Sequence, residues 1–152
     1  MKFRLITFIL NLDYIMKVGK IGIVDDDNLI RSLMQLKLRK RGYEVEAFTN
    51  GSEALIYYLR NPLPKLIITD IMMPEMGGIE LAQNLKKLDK NIPIVAITGG
   101  TLDFELESYS LFSFWVEKNG SIDDILAVIF QGLSEKNVGY DFDECIRTGP
   151  IK

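Results

Sequence analysis

Four short apolar runs in this sequence end in residues suited to divalent-cation and phosphoryl chemistry. Asp25-Asp26-Asp27 follows Ile21-Gly22-Ile23-Val24, and Asp70 follows Leu66-Ile67-Ile68-Thr69. Thr98 follows Ile94-Val95-Ala96-Ile97, and Glu117-Lys118 follows Phe114-Trp115-Val116. Carboxylates crowded together repel one another, and their pKa values rise unless a cation intervenes. Magnesium is a hard, oxygen-seeking ion, typically held by one or two carboxylates with phosphate and water. A carboxylate is also a nucleophile that forms an aspartyl phosphate. A lysine and a hydroxyl beside it neutralise and orient phosphoryl oxygens. Each residue alone has a plainer reading: the Asp triplet as an acidic helix cap, Asp70 as a turn residue, Thr98 as a strand end, Lys118 as a surface lysine. Joint placement at strand ends gives the chemical reading its weight.

The elements that would position these residues alternate. Ile21–Val24 reads as a buried strand, and Asp27 or Asn28 as a helix cap ahead of Leu29, Ile30, Leu33, Met34 and Leu36 at helical spacing. Arg39 to Gly42 is a basic helix end followed by glycine. Tyr43 to Phe48 alternates as a half-buried edge strand does. Asn50-Gly51-Ser52 is a turn and cap, and Ala54, Leu55, Tyr58 and Leu59 mark a helix ended by Pro62 and Pro64. The strand Leu66–Thr69 precedes a loop from Pro74 to Gly78 and a helix carrying Ile79, Leu81, Ala82, Leu85 and Leu88. After the strand Ile94–Ile97, Thr101 caps a helix with Leu102, Leu106 and Tyr109 on one face, and Asp103, Glu105 and Glu107 on a solvated one. Phe114–Val116 is the fifth strand. Ser121 and Asp124 form a capping box for a last helix striped by Ile122, Ile125, Leu126, Ile129, Phe130 and Leu133. Five strands alternating with five helices predict a parallel sheet covered on both faces. Ligands of such sheets bind beyond the carboxyl ends of the strands, where the polar groups above collect.

Composition sets outer bounds. The 152 residues make about one domain, and a hydrophobic fraction of 47% supplies a core. A net charge of −3 offers no basic face for nucleic acid. The chain has no histidine, which removes Ser/His/Asp and Cys/His catalysis and imidazole zinc sites, and any phosphohistidine must belong to another molecule. Its one cysteine, Cys145, fits a reducing compartment. Met1 to Leu12 is apolar with Lys2 and Arg4 at its start, but it is broken by Thr7 and Asn11, lacks a cleavage site and is too short to span a bilayer. It reads as an extra N-terminal element or as an early start codon. Met16, just ahead of the first strand, favours the second.

Val24-Asp25-Asp26-Asp27, Ile68-Thr69-Asp70-Ile71-Met72-Met73-Pro74, Ala96-Ile97-Thr98-Gly99 and Val116-Glu117-Lys118 together resemble the receiver domains of two-component response regulators. The resemblance covers about residues 18 to 134, leaving an extension at 1–17 and a tail at 135–152. It implies a flavodoxin-like, doubly wound, five-stranded parallel sheet of order 2-1-3-4-5. It implies Asp70 as phosphoacceptor, with Asp25, Asp26, Asp70 and the Met72 backbone carbonyl holding Mg2+, Asp26 more directly than Asp25. It further implies Lys118 as partner of the phosphoryl oxygens, Thr98 as a hydroxyl that moves on activation, and Trp115 as the switching aromatic. Expected partners are a sensor histidine kinase or histidine phosphotransfer protein and a downstream protein target. Neither nucleic acid nor membrane is expected as a direct partner, and the location is cytoplasmic. Such a chain is no enzyme beyond assisting its own phosphorylation and dephosphorylation.

The sequence departs from the family pattern at four places. Asn119 follows Lys118 where proline is usual, and a cis bond there would cost roughly 2.5–4 kcal/mol. Gly77 replaces a common aspartate, Leu111-Phe112 a usual Gly-Ala, and Trp115 a smaller aromatic. Asn119, Trp115 and Leu111-Phe112 motivate a second reading, a degenerate receiver that binds a partner without phosphorylation. A third, an aspartate-nucleophile phosphohydrolase, is disfavoured because Met72 stands where such enzymes carry a second aspartate. Met72 and Gly100 lie two residues beyond Asp70 and Thr98, so an apolar Met72 is expected to shield an aspartyl phosphate from water.

Overall fold

A computed structural model describes residues 20–100 and 106–136. The expectations for residues 1–17, Thr101, Leu102, Asp103, Glu105, the Leu106 and Glu107 side chains, and residues 137–152 with Cys145 lie outside the described residues. The elements are β1 (Lys20–Val24), α1 (Asn28–Lys40), β2 (Glu44–Phe48), α2 (Gly51–Tyr58), β3 (Leu66–Asp70), α3 (Gly78–Leu88), β4 (Ile94–Thr98), α4 (Leu106–Tyr109), β5 (Phe114–Glu117) and α5 (Ile122–Lys136). All strand pairs are parallel, and the order is β2-β1-β3-β4-β5. The sheet is thus the flavodoxin-like, doubly wound one expected.

The period of two along each strand divides the core. Leu66 and Ile68 of β3 face α1 and α5, packing with Met34, Leu38, Ile125, Leu126 and Ile129, while Ile67 turns to the other side. There it meets Ala54 and Tyr58 of α2 and Leu81, Ala82 and Leu85 of α3. Helices on both faces leave β3 and β4 wholly buried, which is why those strands are continuous apolar runs rather than alternating ones.

Helix ends follow local chemistry. Asp27 Oδ1 accepts from the N–H groups of Leu29 and Ile30, capping α1. Gly42 closes the same helix at φ 91°, a region glycine enters without strain. Ser121 and Asp124 form the capping box of α5: Asp124 N–H donates to Ser121 Oγ, and Ser121 N–H donates to Asp124 Oδ2.

Some apolar residues are placed differently from expectation. The buried stripe of α1 runs through Ile30, Met34 and Leu38, while Leu29 and Leu36 are 67% and 49% exposed. Leu59 caps the C-terminus of α2 and is 61% exposed. These residues share the helical period, but the packed arc is set by where the sheet lies. The loop expected through Gly78 ends one residue earlier, since Gly78 opens α3.

Candidate functional site

Three ladders continue past their strand ends, and that extension builds the site. Asp25 N–H donates to Phe48 O at 3.2 Å, Ile71 N–H to Ile97 O at 3.2 Å, and Lys118 N–H to Thr98 O at 2.7 Å. The parallel register sets Asp70 opposite Ile97 and Thr98 opposite Glu117. Asp25, Asp70, Thr98 and Lys118 are therefore held at one end of the sheet by backbone bonds, while Asp26 sits in the turn beyond β1.

Asp25 is fully buried, Asp70 nearly so, and Asp26 exposed. Oxygen atoms of all three carboxylates lie within 4.8 Å of one another. Lys118 Nζ donates to Asp70 Oδ2 at 2.6 Å and forms an ion pair with Asp25 Oδ2 at 3.0 Å. Asp70 Oδ1 accepts from Met72 N–H at 3.3 Å, and Asp25 Oδ1 from Asp27 N–H at 2.8 Å. Burial pushes the Asp25 carboxyl above its ordinary value, against the pull of Lys118. Burial would lower the Lys118 ammonium, but Asp70 and then Asp25 outweigh it and hold that group above the usual lysine value. Three carboxylates facing one ammonium leave a local negative excess with hard oxygen donors, and one of them, Asp26, opens to solvent. That donor set suits a small divalent cation.

The structure thus brings Asp25, Asp26, Asp70 and Lys118 together. The Thr98 side chain is buried, and its hydroxyl is bonded within its own loop, to Gly100 O at 3.2 Å and Gly100 N–H at 3.4 Å. Trp115 is buried at 4% exposure, its ring centroid 4.9 Å from that of Tyr109. Met72 is 79% exposed beside Asp70. Asp27 serves the helix cap instead of the pocket, as expected. No cis peptide occurs among the described residues, so the Lys118–Asn119 bond is trans.

Two contributors were not legible in the sequence. In the sequence Gly78 reads only as the end of a loop. A Cβ there would lie 2.2 Å from the Asp70 carbonyl oxygen, so α3 starts against the backbone of the site itself. The Gly77-Gly78 doublet ahead of an apolar stripe was the available signal. Arg31 donates from Nη1 to the Asp25 carbonyl at 2.8 Å, and nothing in its local sequence marks it.

The fold and this pocket define a doubly wound α/β domain with an acidic, lysine-paired pocket at the carboxyl edge of its sheet. The family model for the response regulator receiver domain matches residues 21–110, and the chain belongs to that family. Asp25, Asp26, Asp70 and Thr98 fall within that match, while Trp115 and Lys118 lie beyond it and are placed by the sheet. The response regulator receiver protein CpdR of Brucella abortus is 41% identical over 80 residues, 53% of this chain and 66% of that protein. The probable transcriptional regulator ycf27 of Porphyra purpurea is 40% identical over 79 residues, 52% of this chain and 32% of that protein. The chain thus spans about a third of the length of this longer relative. The response regulator TrrA of Thermotoga maritima, solved in complex with Mg2+-BeF, superposes with a TM-score of 0.65 at 29% identity, covering 74% of this chain and 97% of that one.

Proposed function

We propose that Asp70 accepts a phosphoryl group from a phosphohistidine on a sensor kinase or histidine phosphotransfer protein, and that the chain signals to a downstream protein by a conformational switch. The observation that carries this reading is the Lys118 ammonium 2.6 Å from Asp70 inside the acidic cluster. An Asp70 carboxylate oxygen attacks phosphorus, the P–N bond breaks, and the departing imidazole keeps the electron pair and takes a proton. Lys118 transfers its hydrogen bond from the carboxylate to a phosphoryl oxygen. The Thr98 hydroxyl leaves Gly100 to bond another. Asp25, Asp26, Asp70 and the Met72 carbonyl would hold magnesium, which when bound supplies positive charge against the phosphoryl oxygens. Among the described residues no helix is long and apolar enough to cross a membrane, and the proposed setting is the cytoplasm.

Intact mass after incubation with acetyl phosphate tests the reading. One added phosphoryl group in the presence of Mg2+, and none with a chelator, is expected. A folded chain that takes no phosphoryl group from acetyl phosphate or from a kinase would instead support the binding-only module. The departures that motivate that module are partly absorbed by the core, where Phe112 is 2% exposed and Trp115 4%.

The exposed Met72 side chain is expected to limit the approach of water to the acyl phosphate. Met72→Asn replaces it with a group that hydrogen-bonds water, and should shorten the phosphoryl lifetime several-fold in a decay assay. A longer lifetime contradicts this.

Trp115 is the single tryptophan, so its emission reports the switch directly. Addition of acetyl phosphate with Mg2+ should change that emission in the parent chain and leave Thr98→Val nearly silent. An equal change in both would separate Trp115 from Thr98.

A further inference from the structure

The turn between β1 and α1 must aim two carboxylates at one point, and adjacent residues do not do so by default. Asp25 is anchored at its N–H by Phe48 O and at Oδ1 by Asp27 N–H. Its carbonyl, however, lies past the last strand pair, where the chain bends toward Asp26 and the helix. Arg31 reaches back from the first turn of α1 to this carbonyl. Nη1 donates to Asp25 O at 2.8 Å, and Nη2 donates to Asn28 Oδ1 at 2.8 Å. The backbone N–H of Arg31 donates to Asp27 O at 2.9 Å. One half-buried residue thus bonds Asp25 and Asn28 of the turn through its guanidinium, beside the ordinary helical bond of its N–H to Asp27.

We infer that Arg31 is a positioning residue for the cation site, its planar fork clamping the Asp25–Asn28 turn so that Asp25 and Asp26 converge on Asp70. The inference rests on the reading of this pocket as a magnesium site. Guanidinium geometry matters here, because two nitrogens fixed in one rigid plane set the spacing and direction of their two acceptors, which a freely rotating ammonium on a flexible stem does not. Partners that orient the ligands of a metal, without touching it, typically change its affinity by about 10–100-fold.

Charge and positioning predict opposite signs, which makes the inference testable. Arg31 is positive and near a cation site, so as a mere charge it opposes Mg2+, and its removal would tighten binding. As a clamp, its removal loosens the turn and weakens binding. Calorimetric titration of MgCl2 into the metal-free full chain distinguishes the two. Arg31→Met is expected to weaken Mg2+ binding about 10–100-fold. Arg31→Lys, which keeps the charge and loses the fork, should resemble Arg31→Met rather than the parent. Asn28→Ala removes one acceptor of the fork and should give a smaller loss, which keeps the test open if Arg31→Met does not fold. Unchanged or tighter binding in Arg31→Met, or parent-like binding in both Arg31→Lys and Asn28→Ala, overturns the role of Arg31. Asp26→Asn serves as the reference for the site itself. If the parent binds no Mg2+, or Asp26→Asn binds it as the parent does, the magnesium reading falls and this inference falls with it.

Discussion

Asp70→Asn is expected to abolish acyl-phosphate formation from acetyl phosphate completely, with folding intact. Asparagine keeps the shape of the side chain and an acceptor for Met72 N–H, but its amide does not form an acyl phosphate. Neither neighbour replaces it: Asp25 is fully buried, and Asp26, although exposed, is not paired with Lys118. The variant should stay within about 1 kcal/mol of the parent in metal-free urea unfolding, since the lost attraction to Lys118 and the lost repulsion from Asp25 and Asp26 oppose each other. Lys118 retains its ion pair with Asp25 at 3.0 Å. Intact mass and peptide mapping check the chemistry. Residual phosphoryl on a peptide containing Asp26 would reassign the acceptor.

Gly78→Ala should be the most damaging single-methyl change near the site. The added Cβ would lie 2.2 Å from the Asp70 carbonyl oxygen and 3.1 Å from Ile71 Cα, far inside contact distance. Both are backbone atoms, so no flexible side chain can yield. Relief requires α3 to move away from β3, which also breaks the 2.9 Å bond from Gly78 N–H to Ile71 O and loosens Leu81, Ala82 and Leu85 in the core. Overpacking of this kind costs about 1–3 kcal/mol, occasionally more. Because the clash is with Asp70 itself, acetyl-phosphate labelling should slow along with the loss of stability. The expected result in urea is a lower midpoint with an unchanged slope. A midpoint equal to that of the parent would show that α3 starts farther from Asp70 than described.

The two predictions draw on different levels of information. Asp70 stands out in the sequence because an acid after Leu66-Ile67-Ile68-Thr69 and before Met72-Met73-Pro74 combines residue type with strand-end position. Gly78 does not, because its requirement comes from the backbone of a strand eight residues away. The helix caps were legible for the same reason as Asp70. Asp27, Asn50 and Ser121 act on N–H groups two or three residues ahead, within reach of local spacing. The outward faces of α1 and α2 were harder. Leu29, Leu36 and Leu59 fit the helical period, and only the position of the sheet shows that they miss the core.

The sequence by itself determined the strands, since short β-branched, apolar or alternating runs bounded by turns have few other uses, and alternation with helices left a parallel sheet as the natural assembly. It also determined which residue types stand at the strand ends. The tertiary structure decided which of them meet. Asp25, Asp70 and Lys118 are far apart along the chain, and they converge because the order β2-β1-β3-β4-β5 aligns those ends at one edge. It also decided that the Thr98 hydroxyl rests on Gly100 and that Arg31 reaches the Asp25 carbonyl. Each of these depends on register and on competition among nearby donors and acceptors, which exist only once the sheet has formed.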